Sequence, residues 1–593
     1  MTTIQRYNLR ECHHGLNAFC FVLFVFVFIA GSLNHTAAQT LTLTPRPQFL
    51  PLQQGQTLPP ADKEEIARVI RDAQTYEAQF RWADAMTHYE TAMRLHSYDA
   101  ALMDRYRIAR FHYDVNRRLH DASYINLVTH NKLDATVSFF NEVMNCVEAE
   151  YADTPNWDNL FRSGITNLQI ALGDSNFCNK TGLKISPQRV AELLQEVQTM
   201  VDRWDIRNRE DLKNGLFHIA EKAKTQIGLN PVTVIMEFTC GVINSLDVYS
   251  TYLTPRQLSD QYSMISGNLV GLGVELRSDN TSLLIVRVIP GSPAEENGLK
   301  EGDRILSVDG ISTQGRDTDS AADLLQGPEG TAARLVISRP EFSSDYQSSV
   351  KTVKNELRFN IVRRQIDVPS VEEGTMLTDK VGYVRLTSFQ TKTAAELNKA
   401  MISLHRQGMQ SLVLDMRGNP GGLFQVGIEV ANMFIDSGAI VRTQGRDNSL
   451  DAPFLATAEN TWRMPLAVLI DEDSASAAEI VAGALRDHRR ATLVGRRTYG
   501  KGTVQKILPL RSGMYDGGRS GLKLTVEKFY SPKGWAYSGV GVTPDVAVQD
   551  NKPEQDGKQR ITAAKPINGQ IPRLMTSRLD DPFIKEAVKA LEN

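Results

Sequence analysis

A multidomain α/β chain is predicted, with a helical N-terminal region, a small β-rich insert and a C-terminal α/β layer. Three observations predict it. The chain has 593 residues, beyond the ~250–300 at which a single hydrophobic core stops growing. Residues 61–255 carry helical periodicity, whereas residues 262–345 switch to short apolar runs punctuated by Gly and Pro. From Val381 to Val548 strand-like runs alternate with helices: VGYVRL, helix 393–407, SLVLDM, helix 424–435, LAVLI, helix 476–487, ATLVG. That rhythm argues for mostly parallel strands joined by crossover helices. Hydrophobic residues make up 41% and charged residues 23%, with a formal net charge of −3. No global field draws such a chain to nucleic acid or to an anionic membrane.

Residues 1–38 read as a signal peptide. The apolar run Phe19–Ala30, FCFVLFVFVFIA, is short for a membrane span and suits an h-region. Arg6 and Arg10 supply positive charge before it, and Thr36-Ala37-Ala38 places small residues before a cut after Ala38. An uncleaved anchor, which would attach the chain to a membrane, is the alternative. Both readings put the bulk of the chain in a periplasmic or otherwise extracytoplasmic location. Residues 39–60, rich in Thr, Pro and Gln, form a linker.

Within residues 61–130, YEAQFRWADAMTHYETAMRLHSYDA resembles a tetratricopeptide (TPR) hairpin, with Trp82, Ala85, Tyr89, Ala92 and Leu95 at its packing positions. An ordinary amphipathic helix pair fits the same positions. A lone repeat cannot bury its own face, so it should pack on the next domain; it is also a candidate surface for an accessory protein. Residues 131–255 continue as a helical domain ending in LDVYSTYLTP. Of five cysteines, Cys12 and Cys20 fall in the leader. Cys146, Cys178 and Cys240 remain, and a Cys146–Cys178 disulfide stays open. No CxxC or HExxH motif occurs, so no metal site is expected.

The segment GLGVEL opens residues 262–345, followed by SLLIVRVIPGSPAEENGLKEGDRILSVDGIS. Glycines let successive N–H groups converge on an anion, so Gly271, Leu272, Gly273 and Val274 can hold a peptide carboxylate while the peptide adds as a strand. Helix 319–326 would form the other wall of the groove, through Ala322 and Leu325. The segment closely resembles a PDZ domain.

In LAVLIDEDSASAAEIVAGALRDH a buried-type strand runs into a helix that starts at Ser476. Unpaired N–H groups and the positive helix end favour a nucleophile there. Ser476-Ala477-Ala478-Glu479 is equally a capping box, and a capping serine fits it as well. In GRRTYGKGTVQKI, Lys501 stands between two glycines, 25 residues after Ser476. Burial would lower its pKa and let it accept the serine proton, and the uncharged amide of Gln505 would suit the task of orienting it. GRRTYGKG also fits a phosphate loop, but Gly502 replaces the Mg²⁺-binding Ser or Thr and a strand follows where a helix is required. In RGNPGG, Gly421 or Gly422 offers an unobstructed N–H as half of an oxyanion hole, with Ala477 as the other half. Ser–Lys chemistry of this kind calls for no cofactor.

RGNPGG, SASAAEI, GRRTYGKGTVQ, LKLTVEKFYSPKG and GVGVTPDV occur in the order and spacing of the tail-specific (C-terminal processing) serine protease family, and LDVYSTYLTP matches that family too. The resemblance covers residues 230–548. It implies a crotonase-like α/β core over residues 346–550, with Ser476 as nucleophile, Lys501 as general base and Gln505 orienting the lysine. It further implies a PDZ module that captures substrate tails and can gate the site. Residues 551–593 would be a tail ending in a helix. The acidic run Asp471–Asp473 departs from the family pattern and could alter preference near the cut. His488 is expected to cap a helix end, and no G-x-S-x-G elbow occurs. Two other readings stand beside the protease: a non-catalytic scaffold, disfavoured by the intact Ser476, Lys501 and Gln505, and acyl-group chemistry, disfavoured by the PDZ signature.

Overall fold

The structure, a computed structural model, describes residues 63–95, 99–278, 283–314, 324–327, 329–340, 354–372, 374–446, 453–458, 461–512, 518–548 and 578–592. The predicted leader, the linker and Ala322 lie outside the described residues, as does most of the predicted helix 319–326.

The N-terminal region is built from α1 (Lys63–Ala78), α2 (Trp82–Leu95), α3 (Ala100–His120), α4 (Ala122–His130), α5 (Leu133–Glu150), α6 (Trp157–Gly173), α7 (Ser175–Lys180), α8 (Pro187–Val201), α9 (Arg209–Ile227) and α10 (Pro231–Leu246). Local chemistry starts several of them. Asp99, Asn156, Asn208 and Asn230 accept backbone N–H groups at the heads of α3, α6, α9 and α10. Helices α1–α3 share a small core of Ala73, Ala85, Tyr89, Ala92 and Ala109, on which Val248 packs. Trp82 stacks on His112 with ring centroids 3.9 Å apart. Cys146, Cys178 and Cys240 are all free thiols, so the disulfide left open above is not formed.

β1 (Thr251–Leu253) ends LDVYSTYL, and α11 (Pro255–Ser266) follows from a Thr254–Gln257 capping box. β2 (Asn268–Gly271) leads into an antiparallel sheet of β3 (Val274–Ser278), β4 (Leu283–Val288), β5 (Arg304–Val308), β6 (Ile311–Ser312), β7 (Ala332–Pro340) and β8 (Lys354–Val362). The short helix α12 (Pro293–Glu296) begins at Ser292. This sheet extends past residue 345. β8 pairs with β7 from Ala332↔Val362 to Pro340↔Lys354, because Leu357, Phe359 and Ile361 alternate onto the module's core. β9 (Arg364–Asp367) then pairs with β2, forming the neck of the module.

The α/β layer is a six-stranded sheet in the order β10 (Thr375–Met376), β11 (Val381–Arg385), β12 (Ser411–Asp415), β15 (Leu466–Ile470), β16 (Thr492–Gly495), β19 (Val546–Ala547), parallel from β11 onward. Side chains alternate between two buried faces. Leu412, Leu414, Val468 and Ile470 meet α13 (Thr393–Arg406), α14 (Phe424–Asn432) and α15 (Ala477–Asp487). Tyr383, Val413, Ala467 and Leu469 meet Phe583, Ile584 and Ala587 of α16 (Pro582–Glu592). The terminal helix is thus a wall of the core rather than a tail. Arg417 fastens it, bonding Asp415 at 2.6 Å and Asp581 at 2.9 Å while lying over the Phe583 ring.

A second sheet joins β1, β18 (Gly521–Tyr530), β13 (Ala439–Gln444) and β14 (Pro453–Leu455), with β17 (Thr503–Pro509) also on β18. Leu510, Leu522 and Leu524 enter the core of the helical domain. Helices and α/β layer therefore meet across this sheet.

Candidate active site

β15 ends at Ile470, and the chain turns sharply into α15 at Ser476, whose backbone sits at φ 57° and ψ −114°. For a residue with a side chain this conformation costs ~1–3 kcal/mol and persists only where the surroundings impose it. Here they do. Asn419, fully buried in RGNPGG, accepts the Ala475 N–H on its carbonyl at 2.9 Å and donates its side-chain amide to Leu386. Gly421 lies so close that a Cβ there would stand 2.8 Å from the Ser476 Cβ. Asp471 accepts the Gly418 and Ser474 amides, and Glu472 pairs with Arg496 at 3.0 Å. The first two acids of the run thus shape the loop.

Glu479 governs this turn. It is fully buried. One carboxylate oxygen accepts the Ser476 N–H and the Lys501 N–H, each at 2.8 Å; the other accepts the Thr498 hydroxyl at 2.6 Å and the Gly500 N–H at 2.7 Å. The Ser476 turn and the lysine loop hang from one side chain. Burial raises its pKa to about 7 against the pull of those hydrogen bonds. The predicted capping box is present, its strong arm being the Glu479 carboxylate on the Ser476 N–H. The Glu479 N–H also bonds the Ser476 carbonyl at 2.9 Å.

Lys501 is half-buried. Burial, helped by Lys523, lowers its amine to about 8, while Glu479 and Asp247 oppose the change. Its glycine neighbours admit the chain at 537–541: a Cβ on Gly502 would strike the Ser538 N at 2.5 Å, and the Gly539 N–H bonds the Gly500 carbonyl. The amine lies 4.8 Å above the Tyr249 ring centroid. Among the described residues no hydrogen bond joins it to the Ser476 hydroxyl. Among the described residues no hydrogen bond joins it to Gln505 either. As a strand residue Gln505 faces its own neighbours, the Thr503 hydroxyl at 2.8 Å and the Thr525 hydroxyl at 3.3 Å.

The predicted anion hole is narrowed by one group. The Gly421 N–H is engaged by Asn419 at 2.9 Å. The Ala477 N–H opens a helix and has no intrahelical acceptor, and the Gly422 N–H has no hydrogen-bond partner among the described residues. Of the three predicted donors, only the Gly421 N–H is thus engaged among the described residues. His488 is the C-cap of α15, as expected, and its ring bonds the Ala439 carbonyl at 2.7 Å.

In the insert, Gly271, Leu272, Gly273 and Val274 border a cavity of about 220 Å³, shared with Leu325 and Ile366. Gly273, at φ 84°, is required there, since a Cβ would overlap Ser292 at 2.2 Å. Ala294 and Ile289 amides bind the Leu272 and Gly273 carbonyls at 2.8 and 2.9 Å, so the GLGV and PGSPA motifs interlock.

The insert thus carries a glycine-lined groove, and the α/β layer carries a strained serine turn tied to the lysine loop through Glu479. A model of peptidase family S41 matches residues 380–548, and a PDZ domain model matches residues 284–339. The carboxy-terminal-processing protease of Bartonella bacilliformis is 35% identical over 344 residues, 57% of this chain and 75% of the relative. The corresponding protease of a Picosynechococcus species is 34% identical over 304 residues, 51% and 70% of the two chains. A solved structure of the photosystem II D1 C-terminal processing protease shares 26% identity over 70% of this chain and 94% of its own, in a loose superposition with a TM-score of 0.38. The chain belongs to the carboxy-terminal-processing protease family of S41 peptidases and carries a PDZ domain.

Proposed function

We propose that this chain is an exported serine endopeptidase that takes protein C-terminal tails in its PDZ groove and cleaves upstream with Ser476 as nucleophile and Lys501 as general base. The observation that carries the reading is the joint suspension of both loops from Glu479, which holds a strained serine and a half-buried lysine in one site. The tail carboxylate docks at Gly271–Val274, and the preceding residues enter the core extended. Lys501 leaves the Tyr249 ring and takes the Ser476 proton as the hydroxyl oxygen attacks the carbonyl carbon. The Ala477 and Gly422 N–H groups receive the oxyanion. The amine leaves with a proton, and water releases the acyl group from Ser476. Gln505 supports this indirectly, by bracing β17 through two threonine hydroxyls.

The finer architecture belongs to the same proposal: the sheet flanked by helices is crotonase-like, and α1–α2 form a TPR-like hairpin that an accessory protein can dock on. Residues 1–38 direct export, with membrane attachment if they are retained. Incubation with an unfolded casein tests the central reading. Ser476→Ala should lose cleavage by at least about 10³-fold while keeping tail binding; cleavage at the parent rate removes Ser476 from the role.

A further inference from the structure

We infer that Tyr249 is a positioning residue for Lys501: its ring face is a resting seat for the protonated amine, held in place by the N-terminal helices. The inference rests on the Ser476–Lys501 reading. A ring face attracts a cation and offers little to a neutral amine. An amine 4.8 Å above the Tyr249 centroid is therefore held both charged and away from the hydroxyl it must deprotonate.

The seat itself is braced from three sides. Asp247 accepts the Tyr249 and Ser250 amides at 2.6 and 2.8 Å. Arg110 of α3 donates to the Asn244, Asp247 and Ser250 carbonyls at 3.2, 2.6 and 2.6 Å. Val248 packs on the α1–α3 core. At the far end of the ring, the Tyr249 hydroxyl lies beside that of Tyr499, which donates to Glu90 of α2. The Tyr499 N–H reaches the Ser474 carbonyl at 3.0 Å, two residues before the proposed nucleophile. One continuous set of contacts thus runs from α2 and α3 through Tyr249 to both catalytic loops. The charged groups facing Lys501 are Lys523 from β18, Glu479 from α15 and Asp247 from the loop before β1, with Glu90 and Arg110 behind. Glu479 and Asp247 also favour the ammonium form, so the ring is one of three such influences.

The test is the Lys501 titration midpoint in the full chain, read by competitive amine acylation and peptide mass spectrometry, which needs no turnover. Tyr249→Leu should lower that midpoint by about half a pH unit or more, and move the acid limb of kcat/KM on casein with it. Tyr249→Phe keeps the ring and should keep the midpoint. Tyr499→Phe, which cuts the link to Glu90, should give a smaller shift in the same direction. If Tyr249→Leu fails to fold, pentafluorophenylalanine at position 249, similar in shape with the ring charge reversed, must lower the midpoint instead. An unmoved midpoint with either replacement overturns the seat, as does a Tyr249→Phe shift as large as that of Tyr249→Leu. An unmoved Tyr499→Phe overturns the part played by the helices. The two readings fail separately: casein cleavage that survives Ser476→Ala sinks the dyad, whereas Ser476-dependent cleavage with an unmoved midpoint sinks only the seat.

Discussion

At Ser476 the backbone adopts a conformation that glycine accepts and other residues resist. Replacing it separates function from stability. Ser476→Gly and Ser476→Ala should both be inactive, yet the glycine variant should be the more stable of the two by about 1 kcal/mol in denaturant unfolding, because it alone relaxes the turn. Equal stability would mean that the turn is unstrained. Lys501 gives a pH signature. Its folded pKa, about 8, lies below the ordinary 10.5, so between those values the unfolded chain binds more protons. Stability should therefore rise with pH across that window, and kcat/KM should rise through about 8 as the base form appears. Lys501→Met should abolish the kinetic rise and flatten that segment of the stability profile. Glu479 has the opposite sign. Its raised pKa makes the native state hold a proton longer, so its contribution weakens as pH climbs from the usual carboxylate range to about 7.

The elements show what could be read from the chain and what could not. Strand and helix alternation across residues 381–548 was legible because short continuous apolar runs, such as LAVLI with both faces buried, and helical runs answer to local chemistry. The RGNPGG and GLGV turns were legible as turns, but not the close approach that Gly421 and Gly273 permit to Ser476 and Ser292. Gln505 was not. It lies on β17 beside a register irregularity between Val504 and Gln505, and such a bulge re-aims a side chain without leaving a mark in the sequence. Glu479 was half legible: S-x-x-E reads as a cap, but an acid inside AAEIVAGAL, an otherwise apolar helix, already hinted that it must find partners in the interior. Tyr249 had no local signal, since it lies 252 positions before Lys501. α15 offers its own test. A Cβ at Gly483 would stand 2.0 Å from the Tyr537 hydroxyl oxygen. Alanine normally improves a helix interior by ~1 kcal/mol, yet here overpacking should dominate, and Gly483→Ala should destabilise by about 1–3 kcal/mol in chemical denaturation. A stabilised variant would show that Tyr537 moves aside freely.

Across the whole molecule, the α/β layer depends on segments distant in the chain. α16 closes the second face of the parallel sheet, and Phe583 is buried between Arg417 and Arg496. Phe583→Ala should cost about 3 kcal/mol or more and lower the midpoint of thermal unfolding. Because Arg417 is the first residue of RGNPGG, casein cleavage should fall alongside tail binding that is unchanged, a split measured by turnover and by peptide titration of the same sample. Loss of both together would point to general unfolding instead.

Glu479 also has a consequence for noise. Because a single carboxylate suspends both loops, a jolt to one is passed to the other, and thermal jitter becomes common-mode. The gap between the two backbone anchors, the Ser476 and Lys501 amides, then fluctuates less than either position alone. Warming should leave such a machine in tune until the shared joint gives way, so that turnover ends abruptly rather than fading.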